Sequence, residues 1–374
     1  MSEQHSISAV VMRGGSSKAV FLKEQELPAS EESRAKLILA LFGSPDKRQI
    51  DGLGGADYLT SKCAIMGPPT RPDADIDYTF AQISIVKPIV SFDVNCGNIS
   101  AAAAVYAIEE GYVKADAPQA VVRVHNTNTG KVLRMKVPIV DGRPLIEGDF
   151  VIDGVPGSGA EIQMDFSDTA GACTGSLLPT GSPLDMISIP GIEEPISVSI
   201  VDVANMCVFI RASDLGLTGC ELPGEVPAHT LAILEQIRVK SAAMSGVNSH
   251  ILPLQVLVGA PQDYPAFVDG LQVRGEDVDL IARLFCESMM HKAYAGTGAT
   301  CLAVAARIEG TTVHQLARTH NEARIRIGHP SGVLPVQVQV QSGNGNWQVK
   351  EVLFSRTARR LMEGTAFVRE ALLG

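Results

Sequence analysis

A chain of 374 residues is long for a single core, so two domains are expected. With 45% hydrophobic and 19% charged residues it reads as a well-buried globular protein and not a disordered one. A net charge of −10, with no long run of Lys and Arg, argues against a nucleic-acid partner.

In chain order, Ser6 to Met12 alternates like a strand and runs into the turn Met12-Arg13-Gly14-Gly15-Ser16-Ser17-Lys18. Ser30 to Leu41 reads as a helix with a Ser cap and an acidic first turn. Gln49 to Lys62 is rich in glycine and aspartate, and its lysine leads into the apolar Cys63-Ala64-Ile65-Met66. Tyr78 to Val90 is one long strand or two shorter ones. Asn98 to Glu110 is an alanine-rich helix that ends at Gly111. Val121 to Val124 and Lys131 to Ile139 flank the turn Asn126-Thr127-Asn128-Thr129-Gly130. Gly181 to Pro195 is rich in Gly and Pro and is the expected domain connection.

Ile196 to Val203 and Met206 to Arg211 form a further strand pair, followed by a helix over Pro227 to Met244 and a strand over Leu252 to Val258. Val278 to Met290 reads as an amphipathic helix, and Thr300 to Glu309 as an apolar one. Val333 to Val340 and Trp347 to Phe354 are strands joined by the hairpin turn Ser342-Gly343-Asn344-Gly345-Asn346. The balance is α+β. Alanine-rich helices that are apolar nearly all round imply burial on most sides, as inside a sheet wrapped around a central helix.

Asn95-Cys96-Gly97-Asn98-Ile99-Ser100 sets a thiol and unpaired backbone N–H groups at a helix N-terminus. Such a place favours anions and lowers a thiol pKa, which suits a carboxylate beside a proton-transfer group. A buried core cysteine near a helix cap accounts for the pattern equally well. Gly296-Thr297-Gly298-Ala299-Thr300-Cys301 repeats the pattern about two hundred residues on. Laying Gly298 on Gly97 puts Thr297 where Cys96 stands and suggests two duplicated domains whose helix N-termini share a cleft. The expected domains are 1–185, with Lys62 and Cys96, and 186–374, with the Gly296-Thr297-Gly298 turn, the terminal segment being free to return to the first.

The Met12 to Lys18 turn is donor-rich and suits a carboxylate, although it also reads as an ordinary strand connection and lacks Walker-loop spacing. Lys62, entering an apolar run, is a candidate base by desolvation or else a snorkelling surface lysine. The histidines show no HExxH spacing, and Gly157-Ser158-Gly159 lies in a Pro/Gly loop unsuited to a nucleophile elbow, so metal and dinucleotide sites rank low. Seven cysteines (Cys63, Cys96, Cys173, Cys207, Cys220, Cys286, Cys301), odd in number and without CxxC spacing, fit free thiols in a reducing cytoplasm. From the polar start and the lack of a long apolar run, neither a signal peptide nor a membrane-spanning helix is expected.

MRGGSSK, RQIDGLGGADYLTSK, NCGNIS, DGVPG, DTAG, AGTG and SRTARRLMEG together resemble the PrpF family, within the diaminopimelate-epimerase-like fold. The resemblance runs from Val11 to about Arg369, with Ser16 in place of the family's usual Thr and Ala19 in place of a common Gly. It implies two similar domains, each a curved mixed β-sheet or barrel around a central helix, with the site in the cleft. It also implies cofactor-independent isomerisation of a small unsaturated di- or tricarboxylate, 3-methylitaconate before 2-methylaconitate or 4-oxalomesaconate. The family's catalytic lysine and cysteine match Lys62 and Cys96. Arg13, Ser16, Ser17, Asn95, Gly97, Asn98, Gly296, Thr297 and Gly298 are then the substrate-binding candidates, with no metal, nucleic acid or membrane partner. A homo-oligomer is left open. With a threonine opposite Cys96, inversion by a thiol pair is disfavoured and a one-base allylic shift is expected. The competing classes are an amino-acid epimerase or racemase and a non-catalytic carboxylate-binding protein.

Overall fold

A computed structural model describes residues 3–373 apart from 117, 320, 321, 344 and 345. The chain forms two compact units, 1–164 with 355–374, and 165–354. The Gly181 to Pro195 segment lies within the second unit, and the chain changes unit at Met164/Asp165 and Phe354/Ser355.

The first stretch contains β1 (Gln4–Gly14), β2 (Ser17–Lys23), α1 (Glu31–Phe42), β3 (Lys62–Gly67), β4 (Ile76–Ile83) and β5 (Val90–Ser91). Next come α2 (Gly97–Glu109), β6 (Gln119–Asn126), β7 (Lys131–Val140), β8 (Arg143–Pro144), β9 (Phe150–Val151), β10 (Ser158–Gly159) and β11 (Ile162–Asp165). Then follow β12 (Asp185–Ile187), β13 (Ile196–Val203), β14 (Asn205–Arg211), α3 (Ala228–Met244), β15 (Leu254–Gly259), β16 (Tyr264–Pro265) and β17 (Gln272–Val273). The remainder is β18 (Leu280–Cys286), β19 (Met289–Met290), α4 (Gly296–Ala305), α5 (Thr312–Leu316), β20 (Arg324–His329), β21 (Gly332–Gly343), β22 (Asn346–Arg356) and β23 (Ala358–Arg369).

In the first unit the strands run β23-β1-β2-β3-β4-β6-β7-β8, with β5 beside β4. Only β2/β3 and β4/β6 are parallel, and each of these pairs is joined through a helix, as parallel neighbours require. In the second unit the run β12-β13-β14-β15-β18-β20-β21-β22, with β19 beside β18, repeats this scheme strand for strand. Its parallel pairs, β14/β15 and β18/β20, fall at the matching places. The duplication therefore extends from one turn to the whole topology, and the α+β class with two similar sheet-and-helix domains holds.

In the first unit one sheet face carries α1. Leu37, Ile38, Leu41 and Phe42 pack there on Val20, Leu22, Cys63, Ile65, Ala81 and Ile83. The other face carries α2, which touches β1, β2, β3, β4, β6, β7, β8 and β23. Residues 97–108 of α2 are all buried. Alanine along Ala101 to Ala104 lets strands approach from every side, because no long side chain holds them off. Alternation along a strand then fixes which residues face α2. Since Cys63, Ile65, Ala81 and Ile83 face α1, Lys62, Phe80 and Gln82 project from the α2 face. Phe21, on that same face, stacks on Tyr106 of α2 at 5.5 Å between centroids.

Two helix expectations are corrected. Val278 to Met290 holds strand β18, not a helix, with all seven residues buried. A strand covered on both faces loses the alternation that would betray it, so its apolar run mimics a helix. The last apolar helix starts at Gly296 and ends at Ala305, earlier than the Thr300 to Glu309 reading. Strands β3, β20 and β23 were not anticipated. The expected Ser342 to Asn346 turn includes residues 344 and 345, which lie outside the described residues. Among the described residues no helix is long and apolar enough to cross a membrane.

Candidate active site

Lys62 opens β3 opposite Gln82 of β4. Its side chain is buried, 3% of the residue being exposed, and Nζ donates to Gln82 Oε1 at 2.7 Å. The Tyr58 and Phe80 rings lie 4.5 and 5.2 Å from Nζ, within cation–π reach. The snorkelling alternative for Lys62 is thus excluded. The loop before it is tied down by Gln49, whose Oε1 accepts from Ala56 N at 2.8 Å and from Ser61 Oγ at 2.6 Å. That wiring explains Gly54: a Cβ there would lie 2.2 Å from the Gln49 side chain.

Cys96 is the N-cap of α2, with an extended backbone and no side-chain cap bond. The first N–H groups of a helix have no intrahelical partner, so Gly97 and Asn98 present donors here. Ser100 holds the cap from below, its Oγ donating to the Cys96 carbonyl at 3.0 Å and to Asn95 Oδ1 at 3.4 Å. Asn98 connects this end to the β1–β2 turn. Its Nδ2 donates to Ser16 Oγ at 3.1 Å and Ser17 Oγ at 3.4 Å, while Oδ1 accepts from Arg356 Nε at 2.7 Å. The turn sits hard against the helix, since a Cβ on Gly14 would lie 2.2 Å from the Asn98 carbonyl oxygen. Arg13 is committed to backbone, Nη1 donating to the Gly15 carbonyl at 3.1 Å and the Thr357 carbonyl at 3.0 Å.

In the first unit the turn holding Arg13, Ser16 and Ser17 lies against the N-terminal end of α2 with Asn95, Cys96, Gly97 and Asn98, and Lys62 stands on β3, on the sheet face that carries this helix. Sequence reasoning missed two polar neighbours. Arg356 is wholly buried; burial brings its guanidinium down to about 10, and Cys96 acts in the opposite direction. It belongs to the SRTARRLMEG segment, where three arginines gave no hint of which one turns inward. Gln82 could have been found only by pairing β3 with β4. Tyr78, also on β4, is fully buried; burial first and Cys96 second push its hydroxyl up.

Gly296, Thr297 and Gly298 open α4 of the second unit, with Ala295 as N-cap. Matching cap to cap puts Ala295, not Thr297, in the place of Cys96, and it puts Thr297 in the place of Asn98. Hydrogen bonds agree: Asn98 is tied to Ser17 at the head of β2, and Thr297 is tied to Asn205 at the head of β14. The earlier superposition of Gly298 on Gly97 was two residues out of register, an error that repeated glycines invite. The strand registers place Lys62 beside Ala19 and, two residues from the matching hairpin end, Leu254 beside Cys207. Leu254 thus occupies the place of Lys62. Both acid–base candidates belong to one copy of the duplication.

The model of the PrpF protein family matches residues 4–369. The chain belongs to the PrpF family. It is 50% identical to the 3-methylitaconate isomerase of Eubacterium barkeri, over 100% of both chains. It is 38% identical to the 2-methyl-aconitate isomerase of Shewanella oneidensis, covering 98% of this chain and 97% of that one. The 4-oxalomesaconate tautomerase of Pseudomonas putida is 36% identical at the same two coverages, 98% and 97%. Among solved structures, a methylitaconate-delta-isomerase aligns with a TM-score of 0.78 at 49% identity, over 100% of this chain and 98% of that chain. A hydroxyproline epimerase from Agrobacterium vitis aligns with a TM-score of 0.60 at 10% identity, over 98% and 94% of the chains, which extends the likeness to the epimerase fold alone.

Proposed function

We propose that this PrpF-family chain is an isomerase that moves a carbon–carbon double bond within a small unsaturated di- or tricarboxylate, 3-methylitaconate first among them. The observation that carries the reading is 50% identity, over the whole length, to a 3-methylitaconate isomerase. The residues of the first unit support the following chemistry. Lys62, as the amine, takes a proton from the allylic carbon. The C–H electron pair enters the conjugated system and charge accumulates on the carboxylate. The proton then returns two carbons away while the double bond shifts, and the balance needs no other reactant. Backbone N–H groups of Gly97 and Asn98, with the Ser17 hydroxyl beside them, are suited to the growing negative charge. Each well-aimed donor of this kind contributes about 2–4 kcal/mol. Cys96 lies at the same helix end and assists as acid, base or polarising group.

Ala295 and Leu254 at the places of Cys96 and Lys62 run against inversion, which requires acid–base groups on two opposed faces. Free thiols throughout support a reducing, cytoplasmic location. The test is incubation with 3-methylitaconate, 2-methylaconitate and 4-oxalomesaconate separately in deuterated water, followed by proton NMR. Double-bond migration with deuterium at the new C–H position is expected, fastest for 3-methylitaconate. Binding without exchange or migration on all three would overturn the assignment.

A further inference from the structure

Gln82 makes the hydrogen bond that orients Lys62, and its own orientation is fixed by chemistry. Its amide faces three groups: Lys62 Nζ at 2.7 Å, the Ser61 carbonyl at 3.0 Å and the Tyr58 carbonyl at 3.2 Å. Carbonyl oxygens only accept, so Nε2 must face both of them and Oε1 is left for Lys62. The residue is 1% exposed, so its amide cannot turn to bulk water instead. A neutral oxygen accepts an N–H from an amine and from an ammonium alike. A carboxylate in its place would favour the ammonium alone.

We propose that Gln82 is a positioning residue for the isomerase reaction, holding Lys62 in one orientation through both halves of the proton shuttle by a neutral acceptor and anchoring the Tyr58–Ser61 loop with the same amide. The inference rests on the reading of Lys62 as base. It accounts for a buried lysine bonded to an amide where an ion pair would be the ordinary solution.

Two variants isolate the effect. Gln82→Glu and Gln82→Met both lose the bonds to the loop carbonyls, and only Gln82→Glu adds charge. Lys62 is followed without substrate by NMR of lysine labelled at Cε, its signal assigned by disappearance in Lys62→Met, across a pH titration of wild type and both variants. The Lys62 midpoint in Gln82→Glu is expected to lie about 1–3 pH units above that in Gln82→Met. The rising limb of kcat/KM for 3-methylitaconate should move by the same amount. Coincident midpoints in two folded variants overturn the proposal. If melting shows Gln82→Glu to be unfolded, Gln82→Met decides: kcat down by about 10–100-fold at a retained KM supports the role, and an unchanged kcat overturns it. Should wild type fail to turn over any of the three acids while the two midpoints still separate, the isomerase reading falls and the hold of Gln82 on Lys62 stands.

Discussion

Asn205 Nδ2 donates to Thr297 Oγ1 over 2.9 Å, and this repeats, with amide and hydroxyl exchanged between strand and helix, the bond from Asn98 to Ser17. In each copy the bond ties the hairpin end to the second residue of the central helix. The exchange leaves an amide beside Cys96 in the first unit and a hydroxyl beside Ala295 in the second.

That bond makes Thr297 a structural oxygen first. Thr297→Val removes the hydroxyl that accepts from the buried Asn205 Nδ2, at a cost of about 1–3 kcal/mol. A lowered melting temperature is expected, with Thr297→Ser restoring most of it. A Thr297→Val protein that melts like wild type would show that the Asn205 bond contributes nothing.

Much of this was legible in the sequence. The alanine-rich helices announced burial on all sides because they lack a polar face, and the glycines of both helix starts announced the duplication. What stayed hidden depends on pairing across long separations. Lys62 could be read as buried or snorkelling until β3 was set between β2 and β4. Gln82, twenty residues away, became visible only through that register. Arg356 was one of three similar arginines in the SRTARRLMEG segment until burial selected it. Strand β18 was lost because both of its faces are covered.

Lys62 carries the proton in the proposed reaction, so Lys62→Met should fold and lose about 10²–10⁴-fold in kcat. Methionine keeps the volume of the buried stem while removing the nitrogen. Thermal melting and isomerase assays on the same preparation check this, and a folded, active Lys62→Met protein removes Lys62 from the mechanism.

Cys96 should be the first thiol to react. Burial pushes Cys63 and Cys207 well up, brings Cys173 up to about 12, and raises Cys220 as well. Cys96 alone of the seven is the cap of a long helix, where the backbone dipoles attract an anion. Sub-stoichiometric iodoacetamide followed by peptide mass mapping should find label there first, and 3-methylitaconate should slow it. Earlier labelling of Cys173 or Cys220 would count against the assigned pocket.

Gly15 tests whether the Asn98–Arg356 link matters to the reaction. Its φ of +50° is a conformation that favours glycine. A Cβ there would stand 2.4 Å from Asn98 Oδ1 and 2.8 Å from Arg356 Cδ, distances that force both side chains to move. Gly15→Ala should therefore break the 2.7 Å bond between them and turn the Asn98 amide away from Ser16 and Ser17. A loss of about 1–3 kcal/mol in stability is expected. If the Asn98 region also stabilises the charge that develops on the substrate carboxylate, kcat falls in the folded fraction beyond what the stability loss removes. If Asn98 only binds the ground state, KM rises and kcat is retained. Denaturant melts and steady-state kinetics on Gly15→Ala, beside Arg356→Lys as a milder break of the same bond, separate these outcomes. Wild-type kcat and KM in both folded variants would leave Asn98 and Arg356 as scaffold alone.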